Sequence, residues 1–398
     1  MFSSIYSALT GLLGFSKGLD VISNNVANLN TPGFKSSELE FTDLFYRYSQ
    51  QSGNDANPSQ IGQGVDTKST RMQFAEGQLR DTGNPLDLAV DGNGFLVVNR
   101  ENKTFYTRAG QLQFGADGLL VTSAGNHVMG FENGALSEIS LDGLRTSAPR
   151  ATTEVRIGGT LSSNSTTASI SSINVFDVAG RSNSLSLLLT RDTSNPLVWA
   201  VEVRDATNAV VASGPITFQA NGSPAAGSNS ISFNFAPTPV AGTTIVLNFG
   251  DPGSFSGTTN FSGATTSQIQ VQSQNGFGTG SLTQATFDEK GFLKLTYSNG
   301  QSATGAQLAL AWFDELQQLT QRGDGLFESN ADQTPILGTA GDGVMGQIVA
   351  KRIELSNVQL AQQFTDLIVL QRGYQASSQI TSVSNEMIQQ LLDIDRKR

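Results

Sequence analysis

Apolar positions at the start of the chain fall at Phe2, Ile5, Leu9, Leu12, Leu19, Ile22 and Val26. Gaps of three, four and seven place them on one stripe of a helix. Ser3 or Ser4 is positioned to cap it. Asn28 and Asn30, then Thr31-Pro32-Gly33, end it, because proline disfavours helix at the residue before it. The far end repeats the pattern. Ser356-Asn357-Val358-Gln359 reads as a capping box, followed by Leu360, Phe364, Leu367, Leu370 and Tyr374 at helical spacing. Ile380, Val383, Met387, Leu391 and Ile394 continue the stripe. A helix over 356–394 would be roughly 58 Å long at 1.5 Å per residue. An apolar stripe of that length needs a partner: the first helix within the chain, or other subunits beyond it.

Between the two ends the pattern changes to that of strands. Leu86–Val90 and Phe95–Val98 flank Asp91-Gly92-Asn93-Gly94, and Gln111–Phe114 and Leu119–Thr122 flank Asp117-Gly118. Both are hairpin signals. Trp199, Val201 and Val203 alternate with polar neighbours, as do Ile231, Phe233 and Phe235. Phe292–Tyr297 and Gln307–Phe313 resume the alternation, and Gln347–Leu355 is strand-like. The expected fold is α+β: terminal α-helices pair as a coiled-coil-like domain around nested β-rich domains. Residues 1–30 with 356–398 form the helical part and 31–70 connect it. Residues 71–146 with 285–355 make a first β domain, and 147–284 an inserted β domain.

Composition sharpens this picture. Across 206–287 the only charged residue is Asp251, and Ser, Thr, Asn and Gly dominate. Segments such as Ile231–Phe235 are too β-like for disorder, so a β domain with uncharged polar surfaces is expected. The chain has 398 residues, a net charge of −10, one histidine and no cysteine. Disulfides, thiolate metal sites and cysteine nucleophiles are therefore excluded, and one histidine builds no multi-histidine centre. The negative balance argues against nucleic acid. No apolar run approaches the length of a membrane span, and the basic-then-apolar layout of a secretory signal is missing from the first 30 residues.

Individual motifs carry little chemistry. Gly341-Asp342-Gly343-Val344-Met345-Gly346 spells G-x-G-x-x-G but lacks the strand before and the helix after that a dinucleotide site needs. It reads as a connecting loop. Arg322-Gly323-Asp324 reads as a turn, and so does Asp91–Gly94, whose carboxylate spacing fails a calcium loop. His127 has no visible serine elbow and no visible partnered acid. No catalytic, metal or cofactor residues are expected, and the chain is read as a structural protein, not an enzyme.

At its ends the sequence resembles a known family. Leu19-Asp20-Val21-Ile22-Ser23-Asn24-Asn25-Val26-Ala27-Asn28, then Thr31-Pro32-Gly33-Phe34-Lys35, is similar to the N-terminal signature of bacterial flagellar rod and hook proteins. Glu354-Leu355-Ser356-Asn357-Val358 and Gln371-Arg372-Gly373-Tyr374-Gln375-Ala376 are similar to its C-terminal signature. Leu86–Val90, Gly94-Phe95 and Phe105-Tyr106-Thr107-Arg108-Ala109-Gly110-Gln111 look like its first β domain, and Gly338–Gly341 like its return segment. The resemblance covers roughly 1–130 and 285–398.

It implies a shaft of many identical subunits, with the terminal helices around an export channel and the insert facing outward. An insert of about 140 residues points to the hook members, whose curved tube acts as a universal joint carrying motor torque to the filament. A distal rod subunit is the alternative, because the stretch 46–60, rich in Ser, Gln and Asn, occupies a place where rod members carry extra sequence. A surface adhesin is a remote alternative. The resemblance further implies self-assembly, and contacts with the distal rod protein, the hook cap and the hook–filament junction proteins. It implies passage through the flagellar type III export apparatus without a cleaved signal, for which Phe41-x-x-x-Phe45 is the candidate export motif.

Overall fold

The computed structural model describes residues 2–49, 59–237, 241–261, 263 and 266–396. The chain divides into two compact units. One comprises 1–142, 285–294 and 304–398, the other 143–284 and 295–303.

The first unit holds both helices, α1 (Phe2–Ala27) and α2 (Leu360–Arg396). Ser3 and Ser4 lie inside α1 rather than capping it. The second helix begins four residues later than the sequence suggested. Asn357, which the capping box would place in the first turn, is held outside the helix by tertiary bonds: its Oδ1 accepts from Ser36 N at 2.7 Å, and its Nδ2 donates to Gln73 O at 2.6 Å. A two-stranded antiparallel ribbon, Ser37–Asp43 with Val65–Met72, follows α1 and lies against it. The stretch 46–60 lies partly outside the described residues, which stop at 49 and resume at 59.

The β core of this unit centres on strand Phe95–Arg100, which pairs with Lys103–Thr107, His127–Glu132 and Leu310–Trp312. Phe95, Leu96, Val97 and Val98 are all buried, so both faces of the strand are covered. On one face Phe95, Tyr106, Phe313 and Phe327 interlock, with Tyr106 and Phe313 at 4.7 Å in a T-shaped contact. The Leu112–Phe114 and Leu120–Thr122 hairpin forms as expected around Gly118.

The other expected hairpin does not form. Leu88–Asp91 pairs with Gln347–Ala350, not with the strand from Phe95. Gly92 (φ +97°) and Gly94 (φ +120°) take the chain away into the neighbouring sheet. The backbone of Gly346 closes in beside them, its N–H donating to Asn93 O at 2.7 Å.

The second unit is two sheets packed face to face. One is an antiparallel meander of Thr167–Phe176, Ser182–Arg191, Val198–Arg204 and Val210–Thr217. The other is mixed. Its strand Glu154–Ser162 runs parallel to Thr243–Asn248 and Thr258–Phe261 and antiparallel to Gln268–Gln274. Alternation places Leu185, Leu187, Leu189, Trp199, Val201 and Val203 of the first sheet against Ile231, Phe233, Ile245 and Leu247 of the second. Phe235, expected inward, is only partly buried at the cluster's edge.

Candidate assembly surface

The two helices lie antiparallel. Asn25 Nδ2 donates to Gln363 Oε1 at 2.9 Å. Further along, Gly18 meets Leu370, Phe15 meets Gly373, and Gly11 meets Ser377. The positions of α1 that contact α2 are Gly11, Phe15, Gly18 and Asn25, with Ile22 buried between the last two and Ala8 buried one turn before the first. Two of the four are glycines. A Cβ at Gly18 would sit 2.7 Å from Leu370 Cδ1, and one at Gly373 would sit 2.6 Å from the Phe15 ring. Glycines of one helix thus receive side chains of the other, Leu370 at Gly18 and Phe15 at Gly373, with Ser384 buried at the far end of the seam.

Most of the large apolar side chains face elsewhere. On α1 only Ile22 of the predicted stripe is buried. Ile5, Leu12, Leu19 and Val26 are half-buried, Leu9 is exposed, and the Phe2 side chain lies outside those described. On α2, Leu367 and Leu370 are half-buried. Leu360, Phe364, Tyr374, Ile380, Val383, Met387 and Leu391 are exposed, with Phe364 and Ile380 about half open to solvent at 51% and 50%. Ile368, Val369, Leu392 and Ile394 join them. In this unit a groove of about 560 Å³ opens between the helices and the strand Ser37–Asp43, lined in part by Val21, Leu39, Phe41 and Val369. The apolar surface of the helix pair therefore far exceeds what the pair itself covers.

The signature residues divide into two sets. Gln371, Arg372, Tyr374 and Gln375 are exposed on α2, and Asn24 and Ala27 are exposed on α1. Asn25, Asn28, Thr31, Gly33, Phe34, Ser356 and Asn357 gather where α1 ends and α2 begins. Asn25 bonds both backbone groups of Ser37, donating to its O at 2.8 Å and accepting from its N at 3.0 Å. Thr31 Oγ1 donates to Asn28 Oδ1 at 3.1 Å, and Ser356 Oγ accepts from Val358 N. Gly33 has φ +70°, and a Cβ there would lie 2.6 Å from Ala109 N. Its N–H donates to Glu354 O at 2.9 Å, beside the buried ring of Phe34.

At the centre of this junction is a charged trio to which the sequence reading assigned no role. Lys35 Nζ lies 2.6 Å from Glu354 Oε1, and Arg108 Nη1 lies 3.4 Å from Glu354 Oε2. Lys35 and Glu354 are each 1% exposed and Arg108 is 6% exposed. Lys35 also donates to Ala75 O at 2.9 Å, and Gly77 N donates to Glu354 Oε1 at 2.9 Å. Arg108 reaches Val90 O and Gly92 O and stacks over Phe95, 5.1 Å from its centroid. Burial pushes the Lys35 ammonium below its ordinary pKa, against the opposing pull of Glu354, and it lowers Arg108 in the same way. All three residues sit inside the sequence signatures. Their signal was charge itself, at fixed places in a chain with only 15% charged residues.

The remaining candidates carry no reactive arrangement. His127 Nδ1 lies 2.9 Å from Glu138 Oε1 across a strand pair, a half-exposed ion-pair geometry. Among the described residues no group of His, Cys, Asp or Glu is placed to hold a metal ion. Gly341–Gly346 is a loop closed by Gly341 N donating to Gly346 O at 2.9 Å. Asp324 of the Arg322–Asp324 turn takes φ +64° and pairs with Arg100 at 3.2 Å. Phe41 packs on Phe15 of α1 at 6.0 Å between ring centroids, whereas Phe45 is 72% exposed.

Four family models match in chain order. They are the flagella basal body rod protein over 5–35, the flagellar hook protein FlgE/F/G D1 domain over 89–170, the flagellar basal body protein FlaE D2 domain over 156–277, and the flagellar basal body rod FlgEFG protein C-terminal over 349–394. The flagellar hook protein FlgE of Borreliella burgdorferi is 28% identical, covering 98% of this chain and 99% of its own length. That of Escherichia coli is also 28% identical, covering 97% and 98%. Matches in chain order, and relatives aligned over nearly the whole chain, support a flagellar hook protein. Flagellar hook proteins are structural subunits, not enzymes, and the hook reading is favoured over the distal-rod alternative. A crystal structure of Helicobacter pylori flagellar hook protein FlgE2 overlays with a TM-score of 0.46 at 15% identity, covering 69% of this chain and all of that one.

Proposed function

We propose that copies of this hook subunit polymerise into a curved hollow tube that acts as a universal joint between motor and filament. The observation that carries this is the exposed apolar length of α2, from Leu360 to Ile394. A helix with so much uncovered apolar surface gains most of its stability from packing against other elements. Coiled-coil-like packing of α1 and α2 within and between copies would bury it. Repeated head-to-tail contact by one screw operation yields an open helical polymer rather than a closed ring. Residues 147–284 would face outward. With Asp251 the only charge in 206–287, neighbouring copies there would exchange weak polar contacts as the shaft bends, with no strong ion pairs to break.

The same reading places the subunit at the hook. It would lie next to the distal rod protein, the hook cap and the hook–filament junction proteins, and reach that place through the type III export apparatus without a cleaved signal. Exposure of Phe45 in the Phe41–Phe45 motif supports a recognition role in export. The test uses Phe364→Asp in a strain lacking its own copy of the gene. Because Phe364 is exposed, the purified variant should retain the helix content of the unaltered chain, while electron microscopy should show basal bodies without hooks. Normal hooks from the variant would remove the apolar face of α2 from assembly.

A further inference from the structure

The helix pair is joined covalently to the rest of the chain only through 28–36 and 355–359, and both passes meet at the Glu354 carboxylate. Glu354 ends strand Arg352–Glu354, which pairs with Leu79–Asp81 on the way into α2, Lys35 follows α1, and Arg108 follows strand Lys103–Thr107 of the β core. Its Oε1 accepts from Lys35 and from Gly77 N, and its Oε2 faces Arg108. Arg108 continues to Val90 O and Gly92 O, tying in the strand that pairs with the returning chain. Two cations against one carboxylate are a costly way to fill a core. Apolar residues of similar volume commonly match or exceed the stability of a buried charged group. What charged, directional bonds add is fixed geometry, because bonds to ionised groups are short and oriented.

We propose that Lys35, Glu354 and Arg108 form a rigid joint that holds the helix pair at one angle to the β core, so that load on the helices is passed to that core rather than lost in swivelling. They are positioning residues for the shaft's bending behaviour. The proposal rests on the hook-subunit reading, and the test separates the two. Full-length variants are expressed in a strain lacking its own copy, and hooks are isolated for electron microscopy while the purified chains are melted.

Lys35→Met leaves Glu354 paired with Arg108 one to one. It should melt at or above the temperature of the unaltered chain and assemble. Its hooks should show a broader spread of curvature, and cells should swim more slowly in viscous medium. Lys35→Arg, which keeps a cationic donor to Glu354, should recover the curvature. Arg108→Lys, which keeps the charge but shortens the fork to Val90 and Gly92, should broaden curvature as Lys35→Met does, and it decides the matter if Lys35→Met fails to assemble. Lys35→Met hooks matching the unaltered ones in curvature and swimming would overturn the proposal and leave the hook reading intact. Failure of the unaltered chain to restore hooks would overturn the hook reading itself.

Discussion

At the scale of single residues, the stability of the first unit concentrates at the junction. Glu354 is the shared partner of two buried cations, so its loss leaves both charged and unmatched, and breaking a buried pair in this way typically costs about 3–5 kcal/mol. Glu354→Gln should therefore lower unfolding free energy by about that amount in urea titration of the full chain. Lys35 adds a pH signature. Its pKa is lowered by burial, so the folded chain binds this proton less readily than the unfolded chain. Stability should rise with pH from that lowered value toward the ordinary lysine value of 10.5, the reverse of a paired surface lysine. Melting the unaltered chain and Lys35→Met side by side isolates this contribution, and a gap that stays flat with pH would contradict it. Asn357 gives a sharper contrast. Its Nδ2 donates to two carbonyls, Gln73 O and Ala75 O. Asn357→Asp, though isosteric, points a carboxylate oxygen at both. It should cost at least as much as Asn357→Ala, about 1 kcal/mol for a partly buried group, the low end of the cost of an unmatched polar atom. These roles were illegible in sequence. The motif residues stood out as a pattern, but their bond partners lie hundreds of positions away, as between Lys35 and Glu354.

At the scale of elements, α1 was legible because a 3.6-residue period is local; it ends at Ala27, a turn before Thr31-Pro32-Gly33, where proline and glycine geometry keeps the helix from resuming. The seam between the helices was not. Counting large apolar residues finds the faces left uncovered, whereas the contact inside the chain depends on glycines, Gly18 and Gly373, that make room for Leu370 and Phe15. The false hairpin at Leu88–Asp91 has a similar cause. Strand pattern shows that a strand exists, but its partner Gln347–Ala350 enters from the returning chain. The seam predicts a paired result. Gly373→Ala puts a methyl within 3 Å of the Phe15 ring and should lower the melting temperature of the full chain. Phe15→Ala alone should also lower it by opening a cavity. Together they should cost less than the sum, with a coupling of about 0.5–3 kcal/mol in a double-mutant cycle. Strict additivity would mean that the helices do not pack at this point in solution.

At the scale of the whole molecule, the alternation of Trp199, Val201 and Val203 was readable as a strand, yet the mixed topology of its unit was not. Parallel pairing of Glu154–Ser162 with both Thr243–Asn248 and Thr258–Phe261 depends on crossovers that no local period records. The two tryptophans offer a direct measure of how independently the units fold. Trp199 is fully buried in the sandwich, and Trp312 lies in the β core of the helix-bearing unit. Single-tryptophan chains carrying Trp312→Phe or Trp199→Phe thus report one unit each by fluorescence. Leu187→Ala removes a side chain that is 1% exposed in the sandwich core, and such truncations cost about 2–5 kcal/mol. In the chain that keeps Trp199, it should move the urea midpoint down. In the chain that keeps Trp312, the midpoint should stay in place, because separate hydrophobic cores unfold as separate cooperative units. Equal shifts at both tryptophans would show one cooperative unit, with bending loads on the sandwich felt directly in the core that carries the helices.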